Sequence, residues 1–359
     1  MKERRSLWHR LLTWIALGYP VALVGVIAVL RLVGERWWPV AVVLYLPRIG
    51  FGLPLPLVVL ATLVARRPGL LAAQLASVWL LLFPLMGLQL GGGAAPTPGA
   101  PRLRIFSYNV DSGRQGLPII LGQMRASGAD LMLLQESAGI DPAELEAGLP
   151  GFHVEANGQF VVASRFPIAE TLAPPKVVVN GVPRSARYMR YLVETPGGPM
   201  LVYSIHPISP REGLDELRGD GLRGELRQGR LFNPKAPRLV MGNALLRSAQ
   251  LEAVSEDAVR ARVPVVVAGD TNLPGLSWFL ARWLGGFVDG FAEVGRGFGY
   301  TFPAPRHPWM RIDRIRVGPG LRFLSFSVDR THGSDHQAVI ADLELTAPAP
   351  PQNRRPSPP

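Results

Sequence analysis

Apolar and polar positions fall along this 359-residue chain in two different rhythms. In the first ninety residues the apolar runs are long: Leu11–Leu30, Ile49–Ala65 and Gly69–Leu90 carry no formal charge over 20, 17 and 22 residues. A helix of about 20 apolar residues crosses the hydrocarbon core of a bilayer, so each run is predicted to be a transmembrane helix, the second despite Pro54 and Pro56. Trp37–Pro47 is apolar but too short to span before Arg48, and its Trp37, Trp38 and Tyr45 suit the headgroup layer, so it is read as interfacial. A cleaved signal peptide is the alternative for the first run. The length of that run, the lack of a clear small-x-small cleavage site and the two runs that follow weigh against it.

Beyond residue 100 the apolar runs shorten to strand length and are bounded by turn residues. Strands are predicted at Leu103–Val110, Leu131–Gln135, Phe160–Ala163, Val265–Ala268, Ile312–Val317 and Ala338–Leu345, with a hairpin from Arg190–Thr195 and Met200–Ile205 around Pro196-Gly197-Gly198-Pro199. Helical spacing occurs at Pro118–Ala126, Pro142–Gly148 and Ala244–Arg262, the last with Leu245, Ala249, Leu251, Val254 and Val259 as its apolar side. Many strands with few helices between them predict an α+β fold in which two sheets pack together and helices flank them. Residues 102–346 form this domain. Gly91–Pro101 (GGGAAPTPGAP) reads as a linker, and Ala347–Pro359 (APAPPQNRRPSPP) as a tail unable to build a core.

Charge changes the picture only when split by position. Of the net +11, the first 100 residues hold nine Lys and Arg against two Glu, and the rest hold 29 basic against 25 acidic residues. Lys2, Arg4, Arg5 and Arg10 before the first run, and Arg66 and Arg67 between the second and third, place those flanks in the cytoplasm, although Arg31, Arg36 and Arg48 soften the contrast. Three crossings put the C-terminal domain outside, in a multi-pass protein of the cell (inner) membrane. With no Cys, a disulfide scaffold, a thiolate metal site and a cysteine nucleophile are excluded. The chemistry runs on carboxylates, His, Ser or a hard metal.

Nearly every predicted strand ends on a carboxylate, an amide or a histidine. Asn109 and Asp111 follow the first, Glu136 the second, His206 the hairpin, and Asp270 with Asn272 the strand after it; Asp313 lies within a strand, and Asp335 and His336 open the last one. Loops at one edge of a rigid sheet hold groups in place while leaving them reachable. Singly, each has an ordinary reading: Asp270 as a turn residue, Asn109 closing a strand, Glu136 as a surface charge, Asp313 paired with Arg311 or Arg314, and the histidines as structural residues.

As an ordered set, with RIFSYNVD at 104–111, ADLMLLQE at 129–136, VVASRFPI at 161–168, VYSIHP at 202–207, VPVVVAGDTN at 263–272, YTFP at 300–303, RIDRIRV at 311–317 and GSDHQAVIADLEL at 333–345, the chain resembles the endonuclease/exonuclease/phosphatase superfamily, the deoxyribonuclease I-like fold. Three spans before such a domain resemble a membrane-anchored bacterial subgroup. The resemblance implies a four-layered α/β/β/α sandwich whose cleft holds Mg²⁺ or Mn²⁺. It implies Glu136 as metal ligand with Asn109, Asp111 and Asp335 nearby, Asp270 as the group that orients or deprotonates water, and Asn272 as a phosphate-positioning residue. His206 and His336, the latter held by Asp313, match the pair that contacts the scissile phosphate. Asn109, Asn272, Arg187 and Arg190 are the expected substrate contacts. Hard oxygen ligands suit Mg²⁺, and hydrolysis by water needs no covalent intermediate.

Three departures from the family pattern stand out. Thr271 replaces a common aromatic; Arg314 replaces a common His and is expected to face either a phosphate or solvent; and no carboxylate is evident to orient His206. The segment Pro207–Ala244 carries Arg211, Arg218, Arg223, Arg227, Arg230, Lys235 and Arg238 against Glu212, Asp215, Glu216, Asp220 and Glu225, so it reads either as a substrate-gripping loop or as a solvated insertion, with Leu231-Phe232 able to dip toward lipid. Three functions follow: a phosphodiesterase acting on nucleic acid, the same chemistry on a lipid headgroup or small phosphoester, and a non-catalytic binding domain. Retention of the whole polar set counts against the last. No protein partner is predicted.

Overall fold

The computed structural model describes residues 2–64, 66, 68–211, 214, 236–304 and 307–346. Arg67, the side chains of Lys2, Arg4 and Arg5, the charged stretch 215–235 with Glu212, and the tail from 347 lie outside the described residues. The chain divides into two compact units, residues 1–88 with 276–278, and the remainder.

The first unit is helical. Helix α1 (Lys2–Leu32) contains the stretch Leu7–Leu32, whose most apolar 18 residues have a mean hydropathy of 2.1 and which among the described residues is the one unbroken helix long and apolar enough to cross a membrane. The second predicted span is interrupted before Leu55: a 3₁₀ turn at Arg48–Gly52 and Pro54 precede α3 (Leu55–Val64), which holds Pro56 in its first turn. The interfacial segment is α2 (Trp38–Leu44), and α2 meets the Arg48–Val64 helical stretch at 92°. The third predicted span is α4 (Leu71–Leu80) continued by a π turn at Leu81–Leu85 around Pro84, so it stops short of Leu90. Polar side chains tie these helices together: Gln74 donates to the Ala16 carbonyl at 3.0 Å, Tyr19 to Phe51 at 2.8 Å and Arg48 to Leu85 at 2.9 Å.

The second unit begins with β1 (Gln89–Leu90) and continues through β2 (Arg102–Asn109), α5 (Leu117–Ser127), β3 (Leu131–Gln135), α6 (Pro142–Gly148), β4 (His153–Asn157), β5 (Phe160–Ser164) and β6 (Ile168–Leu172). A small hairpin of β7 (Val177–Val179) and β8 (Val182–Arg184) precedes β9 (Tyr188–Thr195), β10 (Gly198–Ile205), α7 (Ala236–Ala258) and β11 (Val265–Asp270). The chain ends through α8 (Trp278–Leu284), β12 (Val288–Asp289), α9 (Gly290–Val294), β13 (Arg296–Gly297), β14 (Asp313–Val317), β15 (Leu321–Val328) and β16 (Val339–Leu345).

Two six-stranded sheets result, ordered β15-β16-β2-β3-β5-β4 and β12-β14-β11-β10-β9-β6. Alternation along the strands decides which side chains meet. Leu103, Ile105, Leu131 and Leu133 of the first sheet pack against Met189, Tyr191, Val202, Val266 and Ile315 of the second in one core. The opposite positions of the first sheet, Phe106, Tyr108, Met132 and Leu134, pack under Ile120 and Met124 of α5 and Leu145 of α6. Helix α7 covers the outer face of the second sheet, so the layers run α/β/β/α as expected. Pro118 and Pro142 sit in the first turns of α5 and α6; Asp141 caps α6 by accepting the Ala143 N–H at 2.9 Å.

Three local expectations change. Gly91–Pro101 is not a free tether: Ala94 donates to Leu324 O at 2.9 Å, and Thr97 N–H to the Glu344 carboxylate at 2.7 Å, laying the segment along β15 and β16. Leu90 pairs in a strand with Arg296. Helix α7 starts at Ala236, and its buried stripe is Val240, Ala244, Arg247, Leu251, Val254 and Ala258, whereas Leu245 and Val259 are exposed. The apolar side drawn from sequence was wrong at those two because Arg247 and Gln250 bury their polar heads on the loop after β10.

Candidate active site

Both sheets contain one parallel pair, β2 with β3 and β10 with β11. Parallel neighbours deliver their chain ends to the same edge, and here that edge collects Asn109, Glu136, His206 and Asp270. Strand β14 runs antiparallel to β11 and sets Asp313 directly opposite Asp270. Gly269 makes this approach feasible: at φ 143° a Cβ there would lie 2.0 Å from the Ile205 carbonyl of β10. Beyond the strand ends the backbone is constrained, with positive φ at Asp111 (44°), Glu136 (52°), Arg187 (53°) and Asn272 (50°). Such non-glycine strain concentrates at sites where the surroundings fix side-chain direction.

Asp270 is buried at the centre. The Asn109 amide donates both to Glu136 Oε1 at 3.0 Å and to Asp270 Oδ2 at 3.2 Å, and its oxygen accepts the Asp111 N–H at 3.1 Å. Asp270 Oδ1 accepts the Asn272 backbone N–H at 2.7 Å, while the Asn272 amide donates to Pro207 O at 3.0 Å and ties the β11 loop to the β10 loop. Thr271 turns away, donating to Ile312 O at 2.7 Å.

Two histidines flank this carboxylate, each with Nε2 at 3.7 Å from Asp270 Oδ2. His336 Nδ1 is held by both oxygens of Asp313, at 2.9 and 3.1 Å. Burial pulls the His336 pKa down, but the charges of Asp313 and Asp270 and the hydrogen bond to Asp313 outweigh it and push it up to about 10. His206 Nδ1 meets Gln159 Oε1 at 2.7 Å, and its backbone N–H donates to Arg187 O at 2.9 Å. The orienting partner of His206 is thus an amide from the β4–β5 turn rather than a carboxylate. With Nδ1 donating, Nε2 points into the cleft, 3.3 Å from Glu136 Oε1 but without the alignment of a hydrogen bond. His206 and the Asn109 amide hold Glu136 down to about 2 against the effect of burial. Burial raises the pKa of Asp270, the Asp313 charge adds to it, and the histidines act against it.

At the rim, Asp335 pairs with Arg211 at 2.6 Å and lies 3.9 Å from His336 Nε2; Asp111 pairs with Arg114 at 3.4 Å, and burial and the Asp335 charge raise its pKa. Among the described residues, Asp270, Asp313 and His336 are the group whose ligand atoms lie within 4.8 Å of one another, whereas Glu136, Asp111 and Asp335 do not come that close together. The triad is already committed internally through the Asp313–His336 hydrogen bonds. Asp111, Glu136, Asp270, Asp313 and Asp335 nevertheless place five carboxylates around two histidines and Arg211. That excess of hard, anionic oxygens fits a divalent cation such as Mg²⁺.

Arg190, expected as a substrate contact, is engaged by other side chains. It projects from the helix side of β9 and pairs with Asp257 of α7 at 3.2 Å and with Glu170 at 2.9 Å. Arg314 faces neither phosphate nor solvent: it is buried against Asp289 Oδ2 at 2.9 Å and donates to the Arg311 carbonyl at 2.8 Å. Residues outside the expected set support the site. Arg247 donates to Ile208 O at 2.8 Å, and Gln250 accepts the Ile208 N–H at 2.8 Å and donates to Ser185 O at 2.7 Å, which pins the loop after His206. The polar interruptions of α7's apolar stripe were the available signal.

The sequence profile of the Endonuclease/Exonuclease/phosphatase family matches residues 106–336. Among solved structures, the chain is similar to an endonuclease/exonuclease/phosphatase from Beutenbergia cavernae DSM 12333 (21% identity, TM-score 0.47, 68% of this chain and 72% of that one). It is also similar to truncated Caenorhabditis elegans TDP2 (17%, TM-score 0.49, 68% and 98%) and to a mannosyl-6-phosphatase of Bacteroides thetaiotaomicron VPI-5482 (17%, TM-score 0.48, 67% and 99%). No curated protein matches by sequence.

Proposed function

The chain belongs to the endonuclease/exonuclease/phosphatase family, and on that premise we propose that it is a membrane-anchored, divalent-metal-dependent phosphodiesterase that hydrolyses nucleic acid by direct attack of water. The observation that carries the reading is the buried Asp270 carboxylate set between two histidines whose Nε2 atoms both lie 3.7 Å from it. A carboxylate whose burial raises its proton affinity serves as the base that takes a proton from the attacking water. As the new P–O bond forms and the ester P–O bond breaks, the leaving oxygen takes a proton from a histidine. His336, kept protonated by Asp313, supplies positive charge and that proton at Nε2. His206, fixed by Gln159, faces the same space.

Glu136, held ionised, would ligate the cation with Asp111 and Asp335 at the rim once Arg211 releases Asp335. The cation supplies charge neutralisation on the phosphoryl oxygens. Asn109, whose donors are engaged with Glu136 and Asp270, keeps the two carboxylates in register. Arg187 remains a proposed substrate contact beside His206. Anchoring rests on the Leu7–Leu32 helix, and a multi-pass arrangement with the catalytic unit outside the cytoplasm rests on the charge flanks. The same helix favours one second reading, hydrolysis of a lipid-headgroup phosphoester.

The test uses the full chain in detergent with Mg²⁺ or Mn²⁺ against plasmid DNA, RNA, sphingomyelin and phosphatidylinositol phosphates. Turnover abolished by EDTA, restored by metal and absent in Asp270→Asn and His336→Ala is expected, with nucleic acid the best substrate. Preference for a lipid moves the assignment to the second reading. A folded, metal-binding chain with no turnover on any of them supports a binding domain instead.

A further inference from the structure

The β7–β8 hairpin turns apolar side chains of both its strands to solvent. Val178 is 65% exposed and Val182 45%, and Leu172 just before the hairpin is 38% exposed. Val178 stands directly across the ladder from Pro183, so these two make the outward face apolar on both strands, while Val182, across from Val179 on the other face, is exposed beside the turn. Asn180 and Gly181 form the two-residue turn, both at positive φ (51° and 76°), as tight hairpins of matching twist require. An isolated two-stranded hairpin is marginal alone; here Val177 and Val179, half-buried, turn toward α7 and leave the other face free.

Charge is laid out along the same element. From Thr171 to Arg187 the sequence carries Lys176, Arg184 and Arg187 and no acidic residue. Lys176 and Arg184 are exposed at the base of the hairpin, and neither has an ion-pair partner among the described residues. Valines toward the tip with cations at the base suit a bilayer surface, where apolar groups enter the acyl boundary while ammonium and guanidinium groups stay at the level of the phosphates. A nucleic-acid contact would favour aromatic side chains for stacking, and residues 171–187 contain none. The base of the hairpin runs straight into the site: Ser185 O is held by Gln250, and Arg187 O accepts the His206 N–H.

We infer that the β7–β8 hairpin is a membrane-contacting element that seats on an anionic lipid surface and brings the His206 side of the cleft to the headgroup layer. This goes beyond the catalytic assignment and requires no turnover, although it shares the membrane setting of the proposed anchor. Each cation near an anionic surface strengthens seating by about fivefold.

The chain has no Cys, so a single Val178→Cys accepts an environment-sensitive label at that site alone. The labelled full chain is reconstituted into phosphatidylglycerol-containing vesicles and floated, with Glu146→Cys on α6, in the opposite helical layer, as the control. Blue-shifted emission from the hairpin label, quenched by spin-labelled lipid and lost when Lys176 and Arg184 are both changed to Gln, is the expected result; the α6 label stays solvent-like. A chain that floats while the hairpin label stays solvent-like overturns the contact and leaves the anchor standing. A chain that does not float overturns both. A label shifted by duplex DNA in neutral detergent, and not by vesicles, reassigns the hairpin to nucleic acid and overturns the lipid contact.

Discussion

Two buried charged clusters lie on either side of β14, and they are built in opposite ways. On one side Asp270, Asp313 and Glu136 face His336 and His206 with carboxylate in excess, and His206 Nε2 is left without a directed partner. On the other a single buried Asp289 carries Arg311 at 2.7 Å, Arg314 at 2.9 Å and Arg316 at 3.2 Å. The arginines spend further N–H groups on carbonyls: Arg314 on Arg311 O, and Arg316 on Phe287 O at 3.0 Å and on Leu284 O. The first cluster opens to solvent through Glu136, whose side chain is 35% exposed; in the second the guanidinium NH groups are turned onto Asp289 and backbone carbonyls. Burial of charge alone therefore does not mark the active site, and neither does an unpartnered buried atom, since Arg314 Nε and Arg316 Nε lack partners just as His206 Nε2 does; what separates the clusters is an excess of carboxylates over cations in the first and of cations in the second.

The comparison breaks most sharply at Asp270. Asp270→Asn is expected to lower turnover by about 10³-fold or more while leaving Tm unchanged or slightly higher, because a carboxylate buried beside Asp313 opposes folding. Retained turnover would remove Asp270 as the base. Asp289→Asn reverses the pattern. Removing the one anion among three buried arginines is expected to cost about 3–5 kcal/mol, a fall in Tm of roughly 10 °C, seen by thermal unfolding of the full chain.

The pH dependence follows from the same contact. Burial raises the Asp289 pKa, but the charges of Arg311, Arg314 and Arg316 outweigh it and hold it well below the usual carboxylate range. A depressed pKa gives stability that is complete above about pH 4, the unfolded value, and is lost only as pH falls through the folded one. The Tm gap between wild type and Asp289→Asn should be constant from neutral pH down to about pH 4 and narrow below it.

An intermediate effect is expected at Gln159. Gln159→Leu removes the acceptor that fixes His206 Nδ1 at 2.7 Å and should lower kcat by about 10- to 100-fold with little change in Tm. Gln159→Glu restores an acceptor and should recover part of that loss; equal loss in both variants would show that ring orientation is not what Gln159 provides.

These residues also mark what the sequence could reveal. Glu136 and Asp270 were legible because they stand at the ends of strands whose every position is buried, Leu131–Gln135 and Val265–Asp270. Strands β4 and β6 were not, since an edge strand with a half-exposed, mixed pattern (His153–Asn157, Ile168–Leu172) carries no clean period. Gln159 was invisible because its partner is 47 residues away and it sits in a turn, where a polar residue needs no explanation. Arg314 and Arg316 occupy the alternate positions of β14 that a two-layer sheet would give to solvent. Asp289 and the carbonyls of Leu284 and Phe287 cover them, and no local pattern announces that cover. In the N-terminal unit, composition located the apolar segments but not the breaks at Pro54 and Pro84.

Arg190 gives the smallest expected effect and the sharpest control. Sequence alone made it a substrate contact, and the structure commits it to Asp257 and Glu170, with the Glu170 side chain 51% exposed and Asp257 27%. Partly solvated pairs of this kind contribute about 0.5 kcal/mol, so Arg190→Ala should lower Tm by no more than about 2 °C. Both kcat and KM should stay at wild-type values on the preferred substrate. If KM instead rises while Tm holds, Arg190 reaches the substrate after leaving Asp257, and the boundary drawn between the helix face of β9 and the cleft would have to move.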